Sequence, residues 1–216
     1  METKIAISSN VGFYEKTYPV LVEGLIASGV PAHDIHFFVG GAEPGSRSEG
    51  GVNLHFVDHN SIDFTALISV LELGLSSDYW FLMHDTCYVG ESFHERLMAY
   101  PHAHDAVRLR PRFSMNIGRY SRGHLESIKD RLIGEFKNLD LSPEAVQEYK
   151  KRGVSNEDIF LSLPDTGVYG PMGLTVHESI DFYGTGVPRM VEYHEQLDLY
   201  KVKANWDTKD VYEVRL

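Results

Sequence analysis

One cysteine, Cys87, stands in 216 residues, so no disulfide can close within the chain, and a reducing compartment, the cytoplasm, is expected. Positive charge is scarce as well. Twenty Lys and Arg against 31 Asp and Glu leave a formal net charge of -11, a field against which a phosphate-tracking surface would have to be built. Nucleic acid is therefore not an expected partner. Long apolar runs are missing: the longest segment, residues 66–75, is broken by Ser69, Glu72 and Gly74, and no membrane span is expected. The opening METKIAISSN has no basic stretch followed by an apolar one, so no secretory leader is read there. No internal repeat, low-complexity tract or linker is found.

Familiar catalytic signatures are absent too. There is no Walker A sequence, and Gly184-Thr185-Gly186 lacks the third glycine and the strand-then-helix setting of a dinucleotide fingerprint. His94-Glu95, His177-Glu178 and His194-Glu195 each lack the second histidine four positions on that would bring two imidazoles to one helical face. No Gly-x-Ser-x-Gly elbow occurs.

What is present suits one globular domain: 43% hydrophobic and 12% aromatic residues. Residues 4–8 form a short apolar run with a polar exit at Ser8, Ser9 and Asn10. Tyr18, Leu21, Val22, Leu25 and Ile26 recur at helical spacing, with Pro19 read into the first turn and Gly29 as the stop. Residues 35–39 and 54–57 read as strands, and the glycine-rich stretch 40–51 between them as loop. Asp63 is the expected cap of a helix that closes at Gly74, and residues 79–83, YWFLM, form an apolar strand that delivers His84 and Asp85. Alternating strands and helices predict an α/β fold with a parallel sheet, which binds ligands outside the carboxyl ends of its strands. The second half reads as a short helix over 91–99, strands at 106–110 and near 114–117, an amphipathic helix on Leu125, Ile128, Leu132 and Phe136, and helix starts at Ser142 and Ser155.

The polar strand exits carry the chemistry. Asp85 can hold a divalent cation, Mn²⁺ or Mg²⁺, which would neutralise a diphosphate, or it can cap the following turn; the sequence leaves both open. Asp58 can accept from a ribose hydroxyl or a base N–H, or be an ordinary loop residue. Cys87, close to His84, reads more readily as a small buried hydrophobe than as a nucleophile.

Together these features resemble the GT-A fold of nucleotide-sugar-dependent glycosyltransferases. The resemblance rests on the N-terminal strand with its Ser8-Ser9-Asn10 exit, the acidic exit at Asp58, the strand ending in Asp85-Thr86-Cys87 where the family has Asp-x-Asp, the acidic pair in Asn156-Glu157-Asp158-Ile159-Phe160, and the closing segment 182–189. It implies a single GT-A-like domain over 1–216, with a nucleotide-binding half (1–90) and an acceptor half (91–216). A nucleoside diphosphate sugar, UDP-linked by preference, would sit on Ser8, Ser9, Asn10, Asp58 and Asp85. Asp85 and His177 would hold the cation, and Asp158 or Glu157 would be the general base of an inverting transfer to a glycan or glycoprotein hydroxyl. The chain is also similar to the N-terminal domain of chlorella-virus members that glycosylate a major capsid protein, which would set the reaction in the host cytoplasm.

The sequence departs from the pattern at Cys87, a soft atom where the family has its second carboxylate, so the cation is expected to be weakly held or dispensable. Ser155 followed by Glu157 and Asp158 also fits a helix capping box, and His177 fits an ordinary hydrogen-bonded histidine. Arg108, Arg110, Arg119 and Arg122 are candidates for diphosphate or acceptor contacts. Two other activities share the composition: a nucleotidyltransferase, whose glycine-rich signature is not found after the first strand, and an inert carbohydrate-binding or scaffold module of the same fold.

Overall fold

The computed structural model describes residues 1–110, 116–137, 139–142, 144–145, 148, 166–171, 174–180 and 189–202, with backbone only for 174–180 and 189–190. In chain order the elements are β1 (Thr3–Asn10), α1 (Tyr14–Ala27), β2 (Ile35–Gly40), β3 (Gly45–Glu49), β4 (Val52–Val57), α2 (Thr65–Glu72), β5 (Tyr79–His84) and β6 (Cys87–Val89). They continue with α3 (Phe93–Ala99), β7 (Ala106–Arg108), β8 (Gly118–Ser121), α4 (Arg122–Phe136), β9 (Gly167–Val168), β10 (Leu174–Ile180), β11 (Arg189–His194) and β12 (Leu199–Val202).

The fold is mixed α/β. A large, mostly parallel sheet runs β3-β4-β2-β1-β5-β8-β7-β9, and a four-stranded sheet runs β10-β11-β12-β6. β1 pairs in parallel with β2 on one side and β5 on the other, and β2 pairs in parallel with β4. β2 and β5 are buried along their whole length, because a parallel sheet carries cover on both faces and its inner strands face no water. On one face, Leu21, Val22 and Leu25 of α1 pack in a core with Ile5, Ile7, Phe37 and Met83. On the other, Leu67, Ile68 and Leu71 of α2 and Leu125 and Leu132 of α4 pack with Phe38, Trp80 and Leu82.

Several local expectations are corrected. The stretch read wholly as loop contains β3, an exposed antiparallel partner of β4. Its Gly-Ser-Arg-Ser-Glu sequence has no apolar alternation to signal it, and its charges suit a sheet edge. Pro19 lies inside α1, past its first turn; it is exposed, so the carbonyl it leaves unbonded faces water. Asp63 does not cap α2. It lies in a 3-10 turn, Ile62–Phe64, and the first turn of α2 is held instead by Ser8 Oγ, which accepts from Ala66 N at 3.0 Å.

The short Asp85-Thr86 link carries the chain from β5 of the large sheet into β6 of the small one. Val202 N donates to Thr86 O at 2.9 Å, which ties β12 to that same link. Asp85 therefore stands where the two sheets meet.

Candidate functional site

β1, β2, β4 and β5 run parallel, so their carboxyl ends share one edge, at Asn10, Gly40, Val57 and His84. The chain winds outward from β1 through α1 to β2 and on to β4, then returns through α2 to β5 on the other side of β1. The order of strands reverses at β1, and α1 and α2 lie on opposite faces. Such a reversal opens a crevice between the carboxyl ends of the two strands, here β1 and β5.

Ser9 and Asp85 stand at these strand ends on the α1 face, both buried. Ser9 Oγ donates to Asp85 Oδ2 at 2.5 Å, and Thr17 Oγ1 of α1 donates to the same oxygen at 3.1 Å. The backbone is tied as well, with Asp85 N donating to Ser8 O at 3.0 Å. Burial lifts the Asp85 carboxyl to about 6, the two hydroxyl donors pull against that rise, and the charge of Asp63 adds to it. Cys87, two residues on, is buried, and burial pushes its thiol up to about 12. At neutral pH it is a neutral thiol, which offers little to a hard cation and is a poor nucleophile.

His84, Asp63 and Asn116 gather on the α2 face. His84 Nε2 lies 2.8 Å from Asn116 Oδ1 and 3.6 Å from Asp63 Oδ1. Asp63 is aimed there by an unusual backbone: Ile62, a β-branched residue, has φ of +53°, a conformation that costs on the order of 1–3 kcal/mol. The turn is held by Asn60 Oδ1, which accepts from Ile62 N at 3.1 Å, and by Ser8 Oγ, which donates to Asp63 O at 2.9 Å.

Of the residues expected to hold a nucleotide sugar, Ser9 and Asp85 meet directly. Ser8 is committed to Asp63 and the start of α2. Asn10 is half-buried beside them, and its Oδ1 accepts from Gly12 N at 3.0 Å to set the turn into α1. Asp58 is exposed at the end of β4, two strands from β1. It lines a cleft of about 400 Å³ with Ser46, Phe56, His59 and Glu72 on the α2 face, apart from the β1–β5 crevice. His177 lies in β10, with its side chain outside the described residues, and Glu157 and Asp158 are outside them altogether.

Among the described residues, no group of three or more His, Cys, Asp or Glu side chains is arranged to hold a metal ion. Asp85 Oδ2 already accepts from two hydroxyls, and the side chain of His177, the other expected ligand, is outside the described residues. Two of the candidate arginines are engaged inside the fold. Arg119 is fully buried and donates to the carbonyls of Tyr100 and Pro101 at 3.1 and 2.6 Å. Arg110 is buried in a 2.8 Å ion pair with Glu192 that joins the two sheets.

Sequence reasoning missed Thr17, Asp63 as a site residue, and Asn116. Thr17 carries no motif; it matters because one turn of α1 faces the end of β5. Asn116 meets His84 across a separation of 32 residues, which no local pattern reports. No family model matches the chain, and no curated protein matches it.

Proposed function

We propose that the protein is a glycosyltransferase that moves a sugar from a nucleoside diphosphate donor, UDP-linked by preference, to a hydroxyl of a glycan or glycoprotein. The observation that carries the reading is the strand reversal at β1, the place where a parallel sheet of this kind binds ligands, with Ser9, Asn10, His84 and Asp85 at the strand exits beside it. The donor's nucleotide would lie along the β1 exit. In the reaction the acceptor oxygen forms a bond to the anomeric carbon, the bond from that carbon to the diphosphate breaks, and the acceptor proton passes to a carboxylate. Asp158, with Glu157 as the alternative, is the proposed base, and the transfer inverts the anomeric centre. A capsid protein as acceptor is the narrower form of the proposal.

The test is a thermal-shift panel of UDP-, GDP-, CDP- and TDP-sugars with and without Mn²⁺. A donor at a hundred times its dissociation constant stabilises the native state by about 2.7 kcal/mol. A shift with a UDP-sugar supports the reading; no shift across the panel rejects it. Asp158→Asn tests the base. That variant should bind donor and melt with the parent while transferring sugar roughly a hundredfold or more slowly. Near-normal turnover in both Asp158→Asn and Glu157→Gln would remove the pair from the mechanism.

A second reading, a binding module that holds the sugar without transferring it, has one observation in its favour. Asp85 is engaged internally by Ser9 and Thr17. Donor binding without transfer to any acceptor would select it.

A further inference from the structure

We infer that Asn116 and Asp63, joined through His84, read a hydroxyl group of the sugar at the β1–β5 crevice, an assignment that rests on the glycosyltransferase reading above. The starting observation is an unmet hydrogen-bonding demand. Asn116 is 0% exposed, and its Nδ2 has no hydrogen-bond partner among the described residues. A buried polar group left unsatisfied costs about 1–3 kcal/mol.

The orientation of the amide follows from its neighbours. His84 Nε2 faces Asn116 Oδ1 at 2.8 Å and the Asp63 carboxylate at 3.6 Å. Two oxygens around one imidazole nitrogen favour a proton on that nitrogen, so Nε2–H donates to Oδ1 and the Asn116 N–H groups are left over. The flipped amide would instead set the nitrogen's lone pair toward a carboxylate. His84 thereby fixes which end of Asn116 is spare.

Charge selects the ligand group. The Asp63 side chain is one-third exposed, and Asp63 is close enough to act on the ionisation of Asp85. A phosphate oxygen brought to a neutral amide beside the Asp63 carboxylate would meet repulsion that the amide cannot offset. A neutral hydroxyl has the required duality, because it accepts from Asn116 Nδ2–H and donates to the Asp63 carboxylate. Since Asn116 is sealed in the free protein while Asp63 is not, the hydroxyl enters from the Asp63 side. The strained Ile62 backbone that aims Asp63 then has a use, as does a buried amide that an apolar residue would replace at lower cost to the free protein.

The test compares UDP with UDP-glucose, UDP-galactose and UDP-N-acetylglucosamine by calorimetry on the parent, Asn116→Asp and Asp63→Asn. Asn116→Asp keeps an acceptor for His84 and deletes the spare donors. Both variants should bind UDP within about twofold of the parent and lose at least about tenfold of the extra affinity that the best UDP-sugar has over UDP. On the unaltered protein, the Asn116 side-chain amide signal in a ¹⁵N-correlated NMR spectrum should move with that UDP-sugar and stay still with UDP, a readout that survives if a variant fails to fold. A parent that binds UDP-sugars while the variants keep the increment, or whose Asn116 signal does not move, overturns this inference alone and leaves the amide holding internal water. A parent that binds none of the four ligands overturns the glycosyltransferase reading, and this inference with it.

Discussion

Cys87 and Asp85 stand two residues apart and burial raises both, with opposite consequences for chemistry. The thiol, at about 12, stays protonated at any physiological pH, whereas the carboxyl, at about 6, stays mostly ionised at pH 7. Cys87→Ser should therefore leave donor affinity unchanged and cost only the modest stability of placing a hydroxyl in an apolar site, seen as a small fall in melting temperature. Asp85 demands a more careful substitution. Asp85→Ala strips the acceptor from Ser9, while Thr17 Oγ1 keeps Phe13 O at 3.3 Å; a buried donor left unmet costs about 1–3 kcal/mol and confounds a binding measurement. Asp85→Asn retains an acceptor oxygen for those hydroxyls while removing the charge. It should fold and melt close to the parent yet bind the donor less tightly in calorimetry. Full donor affinity in Asp85→Asn would reduce Asp85 to a structural tie between β1, α1 and β5. Loss of affinity in Cys87→Ser would demand a soft-metal or covalent mechanism.

At the scale of elements, the exits of β1 and β2 are fixed by contacts that leave little room for change. An added Cβ at Gly40 would lie 2.8 Å from His59 O and 3.1 Å from Thr65 Cγ2. Gly40→Ala should accordingly destabilise the fold by about 1–3 kcal/mol through overpacking against backbone. Ser8→Ala removes both the acceptor for Ala66 N and the donor to Asp63 O, and should lower stability by about 1–2 kcal/mol. Denaturant midpoints measure both, and wild-type midpoints would show that the start of α2 is held some other way. These contacts also mark how far the sequence could be read. β1, β2, β4 and β5 announce themselves as apolar runs because inner parallel strands are covered on both sides. Ser9 and Asp85 follow as their polar exits. β3 is polar and exposed, and β6 has three residues, so neither offers a period to detect. Ser8 is named by its position after β1, but its work of capping α2 depends on a partner 58 residues away. The same holds for Thr17 on Asp85 and Asn116 on His84: they were missed because their roles arise from packing between elements, which a one-dimensional pattern does not carry.

Across the whole molecule, the acid side of the stability curve is set by histidines kept neutral in the sheet. His36 Nδ1 lies 3.1 Å from His55 Nε2, the two rings are stacked, and His55 Nδ1 lies 3.1 Å from Ser46 Oγ. Burial, with help from the neighbouring His55 and Lys4, lowers His36 to about 3. Burial also lowers His55 and His59, the latter against the opposing pull of Glu72. A histidine depressed in the native state is neutral in both states above its unfolded value near 6.5, so its full contribution is present there. As pH falls below that value the unfolded chain takes up a proton that the native chain refuses, and stability is lost at up to about 1.4 kcal/mol per pH unit for each such histidine. For His36 the loss runs from about 6.5 down to about 3. Asp85 has the opposite sign. Its native value of about 6 exceeds its ordinary value of 3.8, so the native state holds the extra proton between those limits and offsets one histidine there. The net expectation is a fall in unfolding free energy below pH 6.5 that Asp85 moderates and does not reverse. His36→Gln removes one titrating group while keeping a polar side chain beside His55. Between pH 5 and pH 6 it should flatten the slope of unfolding free energy against pH by about 1.2 kcal/mol per unit, most of one proton's worth. Denaturant titrations at half-unit intervals measure this, and a slope equal to the parent's would mean that His36 accepts a proton in the native sheet.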